Sequence, residues 1–413
     1  RTTTFTSPAG RHVTTVVDEF GATTSVTSDG VGPTTTQHDA RGRPTRIQQG
    51  AEVTAFEYDA ANHLVSTTRN GVVEEYTYDA REHLSTIRRP GGGLYRITYD
   101  ASGEPTGLVT PSGSVHGVSR DRAARRSSYT PPSSSVSFVT DHDRDGNPTT
   151  QTSARGDVTH FGYDSSGWAS DVSTPDATTS ITYANSSHQP GTVTRTPTAG
   201  TPTAESFSYD GPVPTGVEFT GAATGAFTYT WDADLRPQSV SLDGLAAVVT
   251  TTDPDGFATS IGDLTLDRSG PGGAERLLAN ATLRIALDYD LSGRLDDLAT
   301  ASAGRDVAHE SVTRDAGGRI AHRVLTVDGV THTNDYHYDA DGLLTQVGAL
   351  TLHRDAQNGL LTGMTLDGVS DSHTHNGFGE WIGHTVQAQG ITLLRVAYTR
   401  DLLSRITRKV ETV

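Results

Sequence analysis

One short pattern recurs along the whole chain and constrains its fold more than any other feature. Clear copies are Phe56-Glu57-Tyr58-Asp59, Tyr76-Thr77-Tyr78-Asp79 and Ile97-Thr98-Tyr99-Asp100, each followed by a polar turn and an alternating segment. The register marks 19 turn positions, of which 17 are Asp, and most steps between them are 20–25 residues long. These turn positions are Asp18, Asp39, Asp59, Asp79, Asp100, Asp121, Asp143, Asp164, Ala184, Asp210, Asp232, Asp253, Asp267, Asp290, Asp315, Asp339, Asp355, Asn376 and Asp401.

The residues at and after each turn position have the chemistry of a tight turn. An Asp carboxylate accepts hydrogen bonds from backbone N–H groups just ahead of it, and Gly adopts a positive φ without steric cost. Gly stands three residues after the turn position in 11 copies. We therefore expect Asp to open each turn and Gly to close it.

The residue before the turn position is Tyr or Trp in nine copies. These aromatic residues favour strands and stack readily on other rings. We expect each to stack on its equivalents in neighbouring repeats, as a packing residue. The nine are Tyr58, Tyr78, Tyr99, Tyr163, Tyr183, Tyr209, Trp231, Tyr289 and Tyr338.

A second turn divides many repeats, so that each repeat reads as two strands. Its signals are dipeptides typical of tight hairpins, such as Asn70-Gly71, Asp243-Gly244 and Asp328-Gly329. Nineteen repeats give about 38 strands, and a flat sheet of that many strands would be ~180 Å wide, more than twisted open sheets tolerate. The sequence therefore predicts an all-β fold in which two-stranded hairpins wind into a spiral or hollow β-shell, as one continuous array over residues 1–413.

Composition agrees with a thin, strand-rich molecule. Hydrophobic residues make up 33% of the chain and charged residues 20%, which argues against one thick core. The net charge of −17 argues against a nucleic-acid surface, because phosphate binding needs clustered Lys and Arg. The chain has no Cys, which excludes disulfides and thiolate metal sites, and no apolar run of membrane-spanning length, so we expect no membrane insertion by this segment. It begins at Arg1, and we expect it to be processed or to be part of a longer polypeptide.

The repeat resembles that of the RHS/YD-repeat family. The motif Tyr-Asp-x-x-Gly-x-Leu at a spacing of about 20 residues is seen in Tyr338-Asp339-Ala340-Asp341-Gly342-Leu343-Leu344 and again from Tyr289 to Leu295. In this family, which includes bacterial polymorphic toxins, insecticidal toxin complexes and the teneurin receptors, the strands spiral into a large hollow β-shell. The resemblance covers nearly the whole chain and implies a container or rigid scaffold.

The sequence departs from bacterial toxin members of that family in one respect. Those members end the shell with a core segment around an Asp-Pro-x-Gly motif, which in some of them is self-cleaving. Here Asp253-Pro254-Asp255-Gly256 occupies an ordinary repeat position in mid-chain, and we interpret it as a turn. The resemblance therefore leaves the cargo and any autoproteolysis open.

Asp141, Asp143 and Asp145 resemble the start of a calcium loop. Three carboxylates at alternate positions, with Gly146 sixth, can surround a hard cation. The twelfth position is Thr152 instead of Glu, and Asp143 and Gly146 are already explained by the repeat. A plain turn is the favoured interpretation.

A group of histidines near the end of the chain could bind zinc. His373 and His375 alternate on one strand, His384 lies nearby, and Glu380 adds an oxygen ligand. His375 stands where Tyr stands in other copies, so a structural ring is the favoured interpretation. The sequence analysis therefore assigns no metal ligand and no cofactor.

No catalytic motif is found. The chain has no Gly-rich phosphate loop, no His-Glu-x-x-His helix and no Gly-x-Ser-x-Gly elbow. Nothing singles out one pair of carboxylates among so many turn aspartates. We expect a protein that is not an enzyme and has no catalytic residues.

The favoured function is a non-catalytic shell segment of a secreted or surface protein that encloses or presents another part of its own polypeptide, with a toxin as the expected cargo. One alternative is an extracellular adhesin that binds glycans or cell-surface proteins through exposed aromatic residues and loops such as 192–204. A β-propeller with blades of about 40 residues would group the repeats in pairs, whereas the register here is single.

Overall fold

The computed structural model describes residues 1–132, 136–153, 156–184, 188–356, 358–376, 379–400 and 405–413, so turn position Asp401 lies outside the described residues. The described residues form 39 β-strands and one short 3₁₀ turn, Pro271–Gly273. The first twenty strands are β1 Thr2–Thr6, β2 His12–Val17, β3 Thr23–Ser28, β4 Thr34–His38, β5 Pro44–Gln49, β6 Glu52–Tyr58, β7 Leu64–Arg69, β8 Val72–Tyr78, β9 Leu84–Arg88, β10 Leu94–Tyr99, β11 Pro105–Val109, β12 Val115–Asp121, β13 Arg126–Thr130, β14 Phe138–His142, β15 Pro148–Thr152, β16 Val158–Tyr163, β17 Ala169–Ser173, β18 Ala177–Tyr183, β19 Pro190–Pro197 and β20 Thr203–Asp210. The remaining strands are β21 Val213–Thr220, β22 Gly225–Trp231, β23 Pro237–Leu242, β24 Val248–Thr252, β25 Ala258–Ile261, β26 Leu264–Asp267, β27 Leu277–Ala279, β28 Leu283–Tyr289, β29 Leu295–Ser302, β30 Arg305–Arg314, β31 Ile320–Val327, β32 Val330–Tyr338, β33 Leu344–Val347, β34 Leu350–Arg354, β35 Leu361–Leu366, β36 Val369–His375, β37 Trp381–Ala388, β38 Ile391–Arg400 and β39 Ile406–Thr412.

Each strand pairs antiparallel with the next strand along the chain, so all 39 form one up-and-down sheet. The all-β prediction and the estimate of about 38 strands are confirmed. In such a sheet, alternate connections lie at opposite edges. The described turn positions each lie at the end of an even-numbered strand or directly after it, which places them at one edge, here called the Asp edge. The mid-repeat turns lie at the other edge, here called the opposite edge.

The turns at the Asp edge have the predicted hydrogen bonds. In the turn at Asp164, the carboxylate Oδ1 accepts from the N–H of Ser166 at 2.8 Å and of Trp168 at 2.9 Å. Gly167, the third residue after Asp164, has φ +84°. The same bond from the N–H four residues ahead recurs at Asp18, Asp39, Asp59, Asp79, Asp100, Asp143, Asp232, Asp253, Asp290, Asp315 and Asp339.

The aromatic residues before these turns link each hairpin to the preceding one. The Tyr78 hydroxyl donates to the carbonyl of Leu64 at 2.9 Å, and its ring stacks on His63 with ring centroids 4.3 Å apart. All nine aromatic residues donate to a backbone carbonyl just beyond the preceding turn, Trp231 through its indole N–H. The expectation that they stack on one another is therefore wrong. In five copies the ring lies instead against the residue four positions after the preceding Asp, as in Arg43 with Tyr58, His63 with Tyr78, His83 with Tyr99, Trp168 with Tyr183 and Arg319 with Tyr338.

A β-bulge accompanies the aromatic residue at the Asp edge. The register of β6 against β7 shifts between Glu57 and Tyr58, and that of β22 against β23 shifts between Thr230 and Trp231. A bulge bends its strand and increases the local twist. Because these bulges recur at one edge of the sheet, they supply curvature of constant sense, which favours winding.

The sheet buries little and has no thick core. Ala177, Leu266 and Val396 are the buried core residues, and Pro131 and Pro132 are the other buried apolar side chains among the described residues. The solvent-accessible surface is 24222 Å², whereas a compact globule of 43.7 kDa would expose about 15,000 Å². The molecule is therefore a single curved layer, as the low apolar content predicted.

One segment that sequence analysis assigned to a loop lies mostly in strands. Residues 192–204, expected to form a loop, instead belong largely to β19 and β20, and residues 198–202 connect them. Thr and Val in this run favour a pleated strand over a loop despite the nearby prolines.

Across the described residues, no helix has the length and apolar character needed to cross a membrane.

Candidate functional site

The sheet winds onto itself along a seam between residues about 240–260 positions apart. Mid-repeat turns within residues 7–92, at the opposite edge of the first winding of the spiral, meet Asp turns within residues 253–341, which belong to the second winding. Thus the N–H of Gly32 donates to the carbonyl of Leu291 at 2.6 Å, and the N–H of Gly272 donates to the carbonyl of Asp29 at 2.9 Å. The seam begins at residues 7–11, which meet residues 253–257, and continues to residues 89–92, which meet Asp341. These contacts make the fold a spiral.

Arg11 forms the most extensive ionic contact of the seam. Its guanidinium pairs with Asp253 at 2.6 Å and also with Asp255, and it lies over the ring of Phe257 at 4.7 Å. Asp255 also accepts from Ser7 Oγ at 2.7 Å and from the N–H of Ala9 at 3.0 Å. The turn interpretation of residues 253–256 is confirmed by the bond from Gly256 N–H to the Asp253 carbonyl. Sequence analysis missed that this turn also closes the seam.

The charges at this contact shift the pKa values of the acids. Burial raises the pKa of Asp253, but hydrogen bonds from Arg11 and from the N–H of Phe257 outweigh that effect and leave the pKa below its ordinary value. The pKa of Asp255 is also lowered, because bonds from Ser7, Ala9 and Arg11 outweigh its desolvation. Both carboxylates are therefore charged at neutral pH, and the contact is ionic.

Two more ionic contacts continue the seam. Arg294 pairs with Glu52 of the first winding and also with Asp290 of its own turn, the latter at 2.8 Å. Farther along, the carboxylate of Asp341 accepts from the N–H of Gly91 at 2.7 Å. Asp341 and Asp255 both stand two residues after a turn Asp, so this position of the repeat faces the neighbouring winding.

A cavity of about 670 Å³ lies where the seam continues beyond Asp341. Thr110, Ser112 and Ser114, from one mid-repeat turn, line one side. Asn358 and Asn376, from two Asp turns, are among the residues that line the other side. The lining is rich in hydroxyl, amide and imidazole groups, so the cavity is polar.

The three aspartates of the calcium hypothesis have protein partners. Asp141 lies on β14 and pairs with Arg126 at 2.6 Å. Asp143 accepts from the N–H groups of Asp145 and Asn147 at 2.8 Å and 2.9 Å, as a turn Asp does. The turn that the repeat predicted is confirmed, and the calcium hypothesis remains a prediction.

The histidines of the zinc hypothesis are partly brought together. His373 on β36 is directly opposite His384 on β37, and both approach Asp371, which sequence analysis did not consider. Glu380 instead accepts from Asn376 at 2.7 Å. The signal that could have identified Asp371 is its spacing of two residues from His373, which puts both side chains on one face of a strand.

Comparison with known proteins supports the fold. The family model "Teneurin YD-shell" matches residues 2–409. Among solved structures, the TcdB2-TccC3 complex aligns with TM-score 0.66 and 14% identity over 98% of this chain and 28% of that chain. The Photorhabdus luminescens Tc holotoxin pore aligns with TM-score 0.64 and 12% identity over 99% of this chain and 26% of that chain.

At 12–14% identity the solved structures share the fold, and the chain spans about a quarter of the length of each. A search of curated proteins found no match. The family model, in contrast, covers almost the entire sequence and agrees with the repeat, the wound sheet and its seam. The chain belongs to the teneurin YD-shell family, whose repeat is the structural RHS/YD repeat.

Proposed function

We propose that residues 1–413 act as one continuous, non-catalytic wall segment of a shell that encloses or rigidly presents another part of the same polypeptide. The observation that carries this proposal is the seam. Contacts between residues 240–260 positions apart join successive windings of a one-layer sheet into a continuous wall. A wall with paired windings can separate an inside from an outside, whereas a loose ribbon of hairpins cannot.

The similarity to toxin-complex structures suggests the content and the setting. The solved structures with the same fold are named as parts of the TcdB2-TccC3 complex and of a Tc holotoxin pore. We propose that this chain works outside the cell or at its surface and that its partner is a toxin segment or a flanking domain of its own polypeptide.

Limited proteolysis of the natural gene product tests the proposal. If the wall encloses cargo, a segment outside the repeat array resists protease in the folded protein and is cleaved once the wall is unfolded, and cryo-electron microscopy shows density inside the shell. Asp255→Ala, which removes a seam contact, should speed cleavage of that segment. Cleavage of every segment outside the array at the same rate in folded and unfolded protein would refute enclosure.

A further inference from the structure

We propose that Asp371, His373 and His384 bind one divalent transition-metal ion, with Zn²⁺ as the preferred ion. Asp371 Oδ1 lies 3.1 Å from His373 Nε2 and 2.8 Å from His384 Nε2. One ligand atom from each residue lies within 4.8 Å of the other two. The donor atoms of a tetrahedral zinc site lie about 3.3 Å apart, so the three side chains have nearly the separation that an ion requires.

The fold fixes this arrangement without help from any loop. Asp371 and His373 are two residues apart on β36, so their side chains share one face of the sheet. His384 is the cross-strand partner of His373 on β37. Directly opposite residues in an antiparallel pair have Cβ atoms about 5 Å apart, a span that two imidazoles bridge through one ion.

Burial and hydrogen bonding separate this cluster from an ordinary ion pair. The His373 side chain is fully buried, with 0% of its surface exposed. Both of its ring nitrogens, together with Asp371 Oδ1, are buried and have no hydrogen-bond partner among the described residues. The close contacts therefore lack the alignment of hydrogen bonds. Unsatisfied buried polar atoms are costly, and an ion shared by Oδ1 and Nε2 would satisfy two of these three atoms.

The donor set selects the class of ion. Two imidazole nitrogens and one carboxylate oxygen suit zinc and neighbouring transition ions, whereas calcium and magnesium prefer oxygen ligands alone. The Trp381 ring lies 4.0 Å from the His373 ring between centroids and limits its rotation. Because His373 also lines the 670 Å³ cavity of the seam, the ion would fasten β36 to β37 beside the place where two windings meet.

Metal analysis of the untagged full chain provides the test. We expect about one equivalent of Zn²⁺ per chain after incubation with Zn²⁺ and removal of the excess, and a higher thermal midpoint with zinc than after chelation. Asp371→Asn and His384→Gln should each lose the bound zinc and the zinc-dependent shift. The control is His322→Gln, because His322 and Asp335 form an exposed cross-strand pair at 2.7 Å with no third ligand among the described residues.

Cobalt substitution tests the same ligands without relying on any variant. Co²⁺ added to the metal-free wild-type chain should give visible absorption bands of a low-symmetry site with nitrogen and oxygen ligands, and Zn²⁺ should remove them. A chain that binds well below one equivalent, or whose stoichiometry and spectrum are the same in wild type, Asp371→Asn and His384→Gln, would overturn the proposal. Loss of zinc in the His322→Gln control would also overturn it, because binding would then depend on another site.

Discussion

The turn aspartate holds the tight turn of each repeat through hydrogen bonds to the backbone. Its carboxylate accepts from backbone N–H groups two and four residues ahead, while its own N–H donates to the carbonyl of the fourth residue. This closed set of bonds is local, so the sequence alone predicted it. Asn376, at an equivalent position, keeps the acceptor and receives the N–H of Glu380 at 3.1 Å. Asn376 therefore keeps the oxygen acceptor without the charge, whereas Ala184 has neither and donates its own N–H to the carbonyl of Gln189 at 2.8 Å.

Substitutions at Asp164 test this role. We expect Asp164→Ala to increase hydrogen exchange at the amides of Ser166 and Trp168 about fivefold, because both lose their acceptor. Asp164→Asn should restore most of the protection. Asp176→Ala, at an exposed Asp outside the turn positions, serves as the control. Unchanged exchange in Asp164→Ala would show that the carboxylate does not hold the turn.

The same bonds make the stability of the chain sensitive to acid. The bond from the N–H four residues ahead is the main cause that lowers the pKa of Asp79, Asp143 and Asp164 below the ordinary 3.8. A group whose pKa is lowered in the folded state stabilises that state above its unfolded pKa and loses this contribution as the pH falls through its folded pKa. We therefore expect the thermal midpoint to fall steeply below about pH 4. In Asp164→Asn the fall should be smaller, and an equal fall in both proteins would contradict the assignment.

At the scale of the elements, sequence predicted the hairpins but not how one hairpin holds the next. The strand periodicity and the turn signals gave two strands per repeat correctly. The aromatic residues were assigned to mutual stacking, whereas Tyr78 stacks on His63 and bonds to Leu64. The reason is the bulge at each of the nine aromatic residues, which offsets the register so that the ring's donor group reaches the carbonyl beyond the preceding turn. A bulge is a property of the paired strands and is not visible in one strand's pattern.

Removal of a single hydroxyl tests this link between hairpins. Tyr163 donates to the carbonyl of Pro148 at 2.8 Å. We expect Tyr163→Phe to lower the free energy of unfolding by about 1 kcal/mol, the usual net value of one hydrogen bond, and to increase exchange at the start of β15. Tyr229→Phe, at a strand tyrosine away from the turn positions, provides the comparison in the same denaturation experiment. Equal losses of unfolding free energy in both variants would show that the hydrogen bond from Tyr163 to Pro148 does not stabilise the link between hairpins.

The candidate metal site shows the same limit at this scale. Asp371 and His373 alternate on β36 and could be noticed from sequence, but His384 joins them only because it lies opposite His373 on β37. That register is set by the bulge between Thr374 and His375 and by the turn after β36. Sequence analysis chose Glu380, which is close in the chain, whereas Asp371, on the same strand face as His373, is the acid that approaches both histidines.

At the scale of the whole molecule, winding was predicted but its pitch was not. Strand number alone requires that so wide a sheet coil. The number of repeats per winding depends on the summed twist and bulge angles of more than twenty strands, so small local differences accumulate. The seam contacts, such as Arg11 with Asp253, therefore could not be paired in advance, although each turn that forms them was recognised.

Weakening one seam contact should loosen the wall locally. We expect Asp255→Ala to increase hydrogen exchange in residues 7–11 about tenfold, because Ser7, Ala9 and Arg11 each lose a partner there, while protection of distant strands is unchanged. The control is Asp328→Asn, because Asn removes the charge of this ion pair but tolerates the positive φ of 48° at this turn residue. Asp328 pairs with Arg305 at 2.9 Å, but both side chains are more than half exposed, and such surface pairs contribute little. Similar increases in hydrogen exchange for the two substitutions would show that the seam contact stabilises the fold no more than a surface ion pair does.

The most direct test of the account is a distance across the seam. The chain has no Cys, so spin labels can be attached only at Ala9→Cys and Pro254→Cys, two exposed turn residues. Double electron–electron resonance should give a narrow distribution at short distance, because the N–H of Ala9 lies 3.0 Å from Asp255 Oδ1. In an unwound sheet the two labels would be about 110 Å apart across ~23 strands. The absence of a short distance in the folded chain would contradict the wound shell.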